Sequence, residues 1–360
     1  MTPTQAIAAK AGRPDLGRTP GAPGAAPAAA AAPPASSPPL FPLERLLQGE
    51  PAPRVRVVDV GAMILGEAED VWRPLVRRGL CASVVGFEPC ADECDRLNAS
   101  TEASPAAGAG GAVGACAGAS AGAAVDPASG GAVGSAGAAP GPVYRWLPHA
   151  LGDGTAGTFR RCSAPMTSSM LEPNLPLLGR FTQLEEVTTV VERTEMQTRR
   201  LDDLLDGLPG GRADFLKLDV QGYELAVLRG ARAALEHVLV VHTEVEFAEM
   251  YQGQPLFAEV DQYLRSGGFV FHRFASVHGR PMKPIHLLHN PLQPISQQLW
   301  ADAVYVRDLW DLQRHSREDL LKTAFILHEI YHSYDVVHHV LRKADECLAK
   351  RYLDTVLGSR

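Results

Sequence analysis

Features that mark several other protein classes are missing from this sequence. No stretch approaches the roughly 18 consecutive apolar residues of a membrane-spanning helix. Lys and Arg form no run, and the net charge of −7 argues against a nucleic-acid partner. Prolines spread from Pro20 to Pro39 interrupt any apolar segment that a secretory signal would need. These absences predict a cytoplasmic protein without a nucleic-acid partner or a membrane span.

Cysteine is scarce and irregularly spaced. The six cysteines form no CxxC pair. Cys90 and Cys94 could share one face of a helix, but no nearby histidine would complete a metal site. We expect reduced thiols in a cytoplasmic protein.

Large apolar side chains are almost absent from two segments. Met1 to Pro39 consists mainly of Ala, Pro, Gly and Ser, and 27 of the 39 residues from Ala103 to Gly141 are Ala or Gly. Neither segment buries enough apolar surface to offset the entropy of ordering, about 1–2 kcal/mol per residue. We therefore predict a disordered leader over residues 1–50 and a disordered insertion over 103–141.

The remaining sequence alternates short β-branched runs with helical patterns. This alternation predicts a doubly wound α/β fold around a buried parallel sheet. The last two strands are joined only by a Pro-rich loop, which allows an antiparallel hairpin at the sheet edge. The predicted strands are Val55–Val60, Val84–Phe87, Tyr144–Leu151, Phe215–Val220, Val238–Val245, Phe269–Phe274 and Ala303–Arg307. The predicted helices are Val71–Arg78, Ala91–Ala99, Glu224–Arg229, Leu256–Ser266, Arg317–His332 and Asp335–Leu357.

Two strand ends carry residues typical of a nucleoside site. Asp59 is followed by the small-residue turn Gly61-Ala62, where backbone N–H groups can approach a cofactor. The second strand ends at Glu88, and an acidic residue in that position accepts hydrogen bonds from ribose hydroxyls. The G-x-G-x-x-G fingerprint of nicotinamide cofactors is absent, which favours S-adenosylmethionine, a cofactor without a pyrophosphate.

Charged residues interrupt the fourth and fifth predicted strands. Lys217 and Asp219 lie on one face of one strand, and His242, Glu244 and Glu246 lie on one face of the next. Unpaired buried charges are costly, so a structural ion pair explains Lys217 but not the whole set. We expect the five groups to converge at the carboxyl edge of the sheet, where open α/β folds bind ligands.

These motifs, taken in order, resemble the FkbM family of methyltransferases. The matching segments are VVDVGA, GFEP, HALGD, TSSMLEPN, TRRLDDLL, DFLKLDVQGYELAVLRGA and LWADAVYVRD. The resemblance covers Val55 to Asp308 and implies a class I methyltransferase sheet with strand order 3-2-1-4-5-7-6. It places a methyltransferase domain over 51–308, and the helical periodicity beyond Asp308 predicts a helical extension over 309–360. It also implies methyl transfer from S-adenosylmethionine to a hydroxyl of a sugar, glycan or other natural product.

The sequence departs from the family's pattern in two places. Gln221 stands where the family usually has Glu, which removes a charge close to the implied site. In the turn after Ala62, Gly66 comes a residue late and Pro74 delays the helix. These changes keep open a second function, a non-catalytic binding module.

The implied cofactor residues follow from the matched motifs. The first strand end would hold the methionine part, the second the ribose, and the HALGD turn would lie near the adenine. These residues are Asp59, Gly61, Ala62, Glu88, Gly152 and Asp153.

Three residues are candidates for the base that removes the acceptor's proton: Asp219, His242 and Glu244. A divalent cation such as Mg²⁺, held by two close carboxylates, is the alternative. The oligomeric state is left open.

One further motif, His328-Glu329-Ile330-Tyr331-His332, spells the H-E-x-x-H pattern of zinc proteases. Only 28 residues follow His332, too few for the rest of a protease domain. We expect no metal there, and a packed amphipathic helix instead.

Overall fold

A computed structural model describes residues 7–8, 41–63, 70–102 and 141–357 of the chain. The disorder predicted for 1–50 and 103–141 therefore lies outside the described residues, apart from residues 7–8, 41–50 and 141. The domain boundaries remain predictions.

Seven strands form the main sheet in the order β3-β2-β1-β4-β5-β7-β6. They are β1 (Val55–Val60), β2 (Cys81–Phe87), β3 (Val143–Leu147), β4 (Phe215–Leu218), β5 (Val240–Glu246), β6 (Phe269–His278) and β7 (Trp300–Arg307). All neighbours pair in parallel except β7, which runs antiparallel to both β5 and β6. This is the class I methyltransferase order, so the predicted topology and the edge hairpin are confirmed.

Helices cover both faces of the sheet, as a doubly wound fold requires. One face packs against α1, α2 and the C-terminal helices, and the other packs against α5, α6 and α7. The α-helices are α1 (Arg73–Arg77), α2 (Ala91–Glu102), α3 (Leu175–Leu178), α4 (Leu184–Val187), α5 (Glu224–Arg229), α6 (Arg232–Leu235), α7 (Phe257–Ser266), α8 (Arg317–Glu329), α9 (Tyr334–Ala344) and α10 (Glu346–Leu357). Short 3₁₀ helices span Leu43–Leu47, Pro165–Thr167, Leu201–Gly207, Pro209–Gly211 and Leu312–Arg314.

An antiparallel hairpin outside the main sheet was not predicted. Its strands, Ala156–Cys162 and Val190–Gln197, are mostly exposed and rich in Arg, Glu and Thr. Period-2 apolar alternation marks a strand only when one face is buried, so this hairpin left no such pattern in the sequence. A separate two-residue pair joins Ile7–Ala8 to His286–Leu287.

Several predicted boundaries shift for local reasons. The third strand ends at Leu147 instead of Leu151, because Pro148 has no N–H to donate to a sheet. The last predicted helix, Asp335–Leu357, is two helices separated by Asp345. The Asp345 backbone is extended, and its side chain accepts hydrogen bonds from the first N–H groups of α10, as an N-cap does.

Part of the predicted leader packs into the core. The 3₁₀ helix Leu43–Leu47 buries three leucines in the cluster that includes α8, α9 and α10. The Pro- and Ala-rich sequence upstream obscured this apolar segment. No helix in the described ranges is long and apolar enough to cross a membrane.

Candidate functional site

A cleft lies at the carboxyl ends of β1, β2 and β4. This is the edge at which open α/β sheets bind ligands. The loop after β3 and the segment after the Ala156–Cys162 strand also line the cleft. Its lining includes Gly61, Asp70, Phe87, Glu88, His149, Leu151, Phe159, Met166, Ser169, Lys217, Asp219, Gln221 and Tyr223.

Gly61 fixes the floor of the cleft. Its φ of 78° is in the left-handed region, and a Cβ there would lie 1.8 Å from the carbonyl oxygen of Asp219. Only glycine therefore lets β1 and β4 approach this closely. The N–H groups of Gly61 and Ala62 both donate to the carbonyl of Phe87, at 3.0 and 3.3 Å. These two N–H groups therefore join β1 to β2 and do not point freely into the cleft. The sequence had suggested instead that they approach a cofactor.

Asp59 does not line the cleft itself but contacts Lys217, which does. Asp59 is fully buried, accepts a hydrogen bond from Trp72 Nε1 at 2.8 Å, and lies 3.2 Å from Lys217 Nζ. Lys217 Nζ also lies 3.6 Å from Asp219. Burial alone would lower the pKa of Lys217, but the two aspartates outweigh it and raise the pKa above the ordinary lysine value. Lys217 is therefore a fixed positive charge between two carboxylates.

Glu88 lines the cleft at the end of β2, where the sequence placed it. The side chain is buried, and Oε1 accepts a hydrogen bond from the N–H of Cys90 at 2.8 Å. Burial raises the pKa of Glu88 to about 7, against the opposing effect of the Cys90 hydrogen bonds. A ligand that donates hydroxyl hydrogen bonds would favour the ionised form.

The part of the HALGD turn that lines the cleft differs from the part that the sequence predicted to lie near an adenine. His149, Ala150 and Leu151 line the cleft, whereas Gly152 and Asp153 do not. Gly152 is packed so tightly that a Cβ would meet Thr198 and Tyr223 at 2.9 Å. Asp153 is exposed and accepts hydrogen bonds from Thr155, which lower its pKa.

Two of the three candidate bases are joined by Gln221. Its Nε2 donates to Asp219 at 3.2 Å and to Glu244 at 2.6 Å, while its Oε1 accepts from the hydroxyl of Tyr251 at 3.0 Å. Asp219 lines the cleft, whereas Glu244 is buried behind Gln221. The backbone φ of Gln221 is 54°, a strained value for a residue with a side chain.

His242 is also buried and does not line the cleft. Its Nδ1 lies 3.0 Å from the hydroxyl of Tyr331 and its Nε2 lies 3.8 Å from Asp302. Burial would raise the pKa of Asp302, but the neighbouring imidazoles of His242 and His278 hold it below the ordinary value. The structure therefore brings Lys217, Asp219, Glu244 and Glu246 into one charged region and gives His242 its own partners.

The side chains of the H-E-x-x-H motif have other partners in this structure. Both ring nitrogens of His328 are engaged in the core, Nδ1 by the Tyr352 hydroxyl at 3.0 Å and Nε2 by the Phe41 carbonyl at 2.9 Å. Glu329 pairs with Arg78 at 3.1 Å. Helix α8 ends at Glu329 and His332 has a φ of 54°, so the two histidines do not share a continuous helix face.

The family of the chain is settled by comparison with known protein families. The model of the methyltransferase FkbM domain matches residues 59–271, more than half of the sequence. The chain belongs to the FkbM methyltransferase family. The family is one of S-adenosylmethionine-dependent enzymes, in agreement with the strand order of the sheet. Among curated proteins, no sequence gives a significant match.

Solved structures with low similarity include other methyltransferases. A methyltransferase FkbM from Methylobacillus flagellatus KT is 14% identical, with a TM-score of 0.34; the match covers 70% of this chain and 43% of that one. The magnesium protoporphyrin IX methyltransferase of Synechocystis PCC 6803, solved with bound S-adenosylmethionine, is 10% identical, with a TM-score of 0.31 and coverages of 74% and 76%. A TehB-like methyltransferase from Corynebacterium glutamicum ATCC 13032 Kitasato is 9% identical, with a TM-score of 0.27 and coverages of 75% and 89%. The family assignment rests on the match over residues 59–271.

The sequence did not single out several residues of this FkbM cleft. Tyr223 and Met170 line it from two of the matched motifs, but an aromatic or thioether side chain carries no distinctive signal. Asp70 lines it from the altered turn and bonds Arg73 at 3.3 Å. Phe159 comes from the hairpin that the sequence did not predict.

Proposed function

We propose that this cleft binds S-adenosylmethionine and that the protein transfers its methyl group to a hydroxyl oxygen of a sugar, glycan or natural product. The observation that carries the proposal is the buried carboxyl group of Glu88 in the cleft that Gly61 and Asp219 also line. A carboxyl group at the end of the second strand is suited to both ribose hydroxyls of a nucleoside.

The charge and polarity of the lining fit this cofactor. Among the described residues, the lining includes the carboxyl groups of Asp70, Glu88 and Asp219 but only one Lys or Arg, Lys217, so acidic groups outnumber basic ones. Such a site favours a ligand with a sulfonium and an ammonium group. The apolar side chains of Phe87, Leu151 and other lining residues suit the flat faces of an adenine.

The chain's own residues must then hold the acceptor and remove its proton. The bound cofactor supplies a methyl group on a positively charged sulfur. A sugar hydroxyl is a poor nucleophile near neutral pH, so a base within hydrogen-bond reach of its proton accelerates the transfer. Of the three candidates, Asp219 lines the cleft and has a side chain that is 36% exposed. We therefore assign the proton acceptor to Asp219, with Gln221 and Lys217 fixing its orientation.

Gln221 argues against a metal ion shared by Asp219 and Glu244. Its amide N–H group lies between the two carboxylates and donates to both. This donor occupies one oxygen of each carboxylate, Oδ1 of Asp219 and Oε2 of Glu244, so no cation bridges those two oxygens. We therefore propose that a side-chain base, and not a metal ion between Asp219 and Glu244, promotes removal of the proton from the acceptor hydroxyl.

Methyl transfer from radiolabelled S-adenosylmethionine to a panel of sugars, glycans and polyketide alcohols tests the acceptor class. The proposal expects label in a product that is stable to mild base, as an ether is. Label only in base-labile esters would contradict transfer to a hydroxyl. Cofactor binding without transfer to any component of a cell extract would favour a binding module. We further expect the protein to act in the cytoplasm.

A further inference from the structure

Three buried glutamates lie beside the cleft, and no role in the proposed reaction accounts for all of them. Glu224 is in the first turn of α5, and Glu244 and Glu246 are on β5. One carboxylate oxygen from each lies within 4.8 Å of the others. The exposed fractions are 1%, 7% and 1%, so water does not compensate their charges.

Two of these carboxyl groups accept hydrogen bonds from the turn that follows β4. Glu224 Oε1 accepts from the N–H groups of Val220 at 2.8 Å and Gly222 at 3.3 Å. Glu244 Oε2 accepts from the amide of Gln221. Among the described residues, no Lys, Arg or His forms an ion pair with any of the three glutamates.

Glu246 supplies an independent sign that a ligand is missing. Both of its oxygens are buried and neither has a hydrogen-bond partner within the described ranges. Such an orphaned carboxyl group is rare and costly in a folded protein. The side chain nevertheless points at the oxygens of Glu224 and Glu244.

We propose that Glu224, Glu244 and Glu246 bind one divalent cation of the Mg²⁺ or Ca²⁺ class. Carboxylate oxygens are the preferred ligands of these hard cations. Their oxygen distances of about 2.0–2.6 Å allow ligands on opposite sides of one ion to lie about 4–5 Å apart. The ion ties the turn between β4 and α5, which carries Asp219 and Gln221, to strand β5. It gives the two oxygens of Glu246 a partner.

Metal content and thermal stability test this site without any methyl-transfer assay. The full-length protein is dialysed against chelator, then titrated separately with MgCl₂, CaCl₂ and MnCl₂. We expect about one equivalent of ion to be retained after gel filtration, and a melting temperature raised by about 5 °C at saturation. Glu246→Gln should abolish both effects, whereas Glu236→Gln, at an exposed glutamate, should keep both.

The competing account is that the three carboxyl groups share protons instead. It predicts no retained ion and no thermal shift from any of the three salts with the unaltered protein. That result overturns the proposal even if Glu246→Gln fails to fold. Retention of the ion by a folded Glu246→Gln variant, at unchanged stoichiometry and affinity, also overturns it, because the ion would then lie elsewhere. Since neither readout involves a methyl acceptor, failure here leaves the proposed function standing.

Discussion

The hydroxyl of Tyr331 lies 3.0 Å from Nδ1 of His242, with the two rings stacked 6.1 Å apart. Burial raises the pKa of Tyr331, so the phenol keeps its proton and can donate it to the imidazole. The other ring nitrogen of His242, Nε2, lies 3.8 Å from Asp302. Tyr331 lies outside the part of the chain that the family model matches, so the C-terminal segment supplies this contact to the sheet.

Tyr331→Phe should lower the free energy of unfolding by about 1 kcal/mol, because a buried acceptor on His242 loses its donor. Affinity for S-adenosylmethionine should stay unchanged, since Tyr331 does not line the cleft. Chemical denaturation measures the first effect and calorimetry the second. Tyr334→Phe is the control, because the Tyr334 hydroxyl makes no hydrogen bond within the described ranges. Equal stability of the two variants would show that the Tyr331 contact contributes nothing.

Gly61→Ala should be far more destabilising than Gly49→Ala. Both glycines have positive φ values, 78° and 96°, so both substitutions strain the backbone by about 1–2 kcal/mol. A Cβ at Gly61 would also collide with the backbone of Asp219, whereas nothing lies within 4 Å of one at Gly49. We expect Gly61→Ala to cost at least about 2 kcal/mol more, measured by denaturant unfolding. Similar losses of unfolding free energy in the two variants would mean that β1 and β4 do not lie so close together.

The sequence was sufficient to predict the centre of the sheet because strands β1, β2, β4 and β5 are buried on both faces. Valine-rich runs such as Val55–Val60 predict strands whatever their neighbours, and the resemblance to known motifs predicted the order of the strands in the sheet. The exposed hairpin strands carried no such pattern. The buried segment Leu43–Leu47 was missed because its leucines follow a Pro- and Ala-rich stretch.

The candidate site was predictable where a motif ends a strand, and less so where contacts cross between distant segments. Glu88, Gly61 and Asp219 line the cleft as their positions on the strands suggested. The sequence could not show that Gln221 bridges Asp219 and Glu244, because that depends on a left-handed backbone at one residue. The partnership of His242 with Tyr331 spans 89 positions and carries no local signal.

Asp219→Asn should reduce kcat by a factor of about 10² or more while leaving the fold intact, if Asp219 accepts the acceptor's proton. The amide keeps the shape of the side chain, and Lys217 keeps Asp59 as its partner. The exposed Asp203→Asn is the matched control. Steady-state kinetics with an accepted substrate provide the measurement. Full turnover by a folded Asp219→Asn enzyme would remove Asp219 from the reaction.

His328→Gln should destabilise the protein by about 1–3 kcal/mol without changing its zinc content. The ring joins Phe41 and Tyr352 within the core, and burial lowers the pKa of His328, so the neutral ring is the stable form. Denaturant unfolding and metal analysis after dialysis give the two readouts. Zinc bound by the unaltered protein and lost from this variant would instead support the protease motif.

The binding of S-adenosylmethionine should depend on the ionisation of Glu88. Because the pKa of Glu88 is raised to about 7 from an ordinary value of 4.5, the uncharged form is favoured in the free protein. The uncharged Glu88 therefore stabilises the folded protein fully below pH 4.5, and this stabilisation is lost as the pH rises through about 7. Ribose hydroxyls donate to the carboxylate, so cofactor binding should release a proton below that pH.

Calorimetric titration with S-adenosylmethionine at about pH 6 and about pH 8, for the unaltered protein and for Glu88→Gln, tests the central claim most directly. We predict micromolar binding. Below pH 7 the affinity should increase with rising pH, by up to about tenfold per pH unit. For Glu88→Gln we predict weaker binding with little pH dependence, whereas the exposed Glu236→Gln should behave as the unaltered protein. No binding by the unaltered protein at either pH, or binding to Glu88→Gln with undiminished affinity and the same pH dependence, would contradict the account.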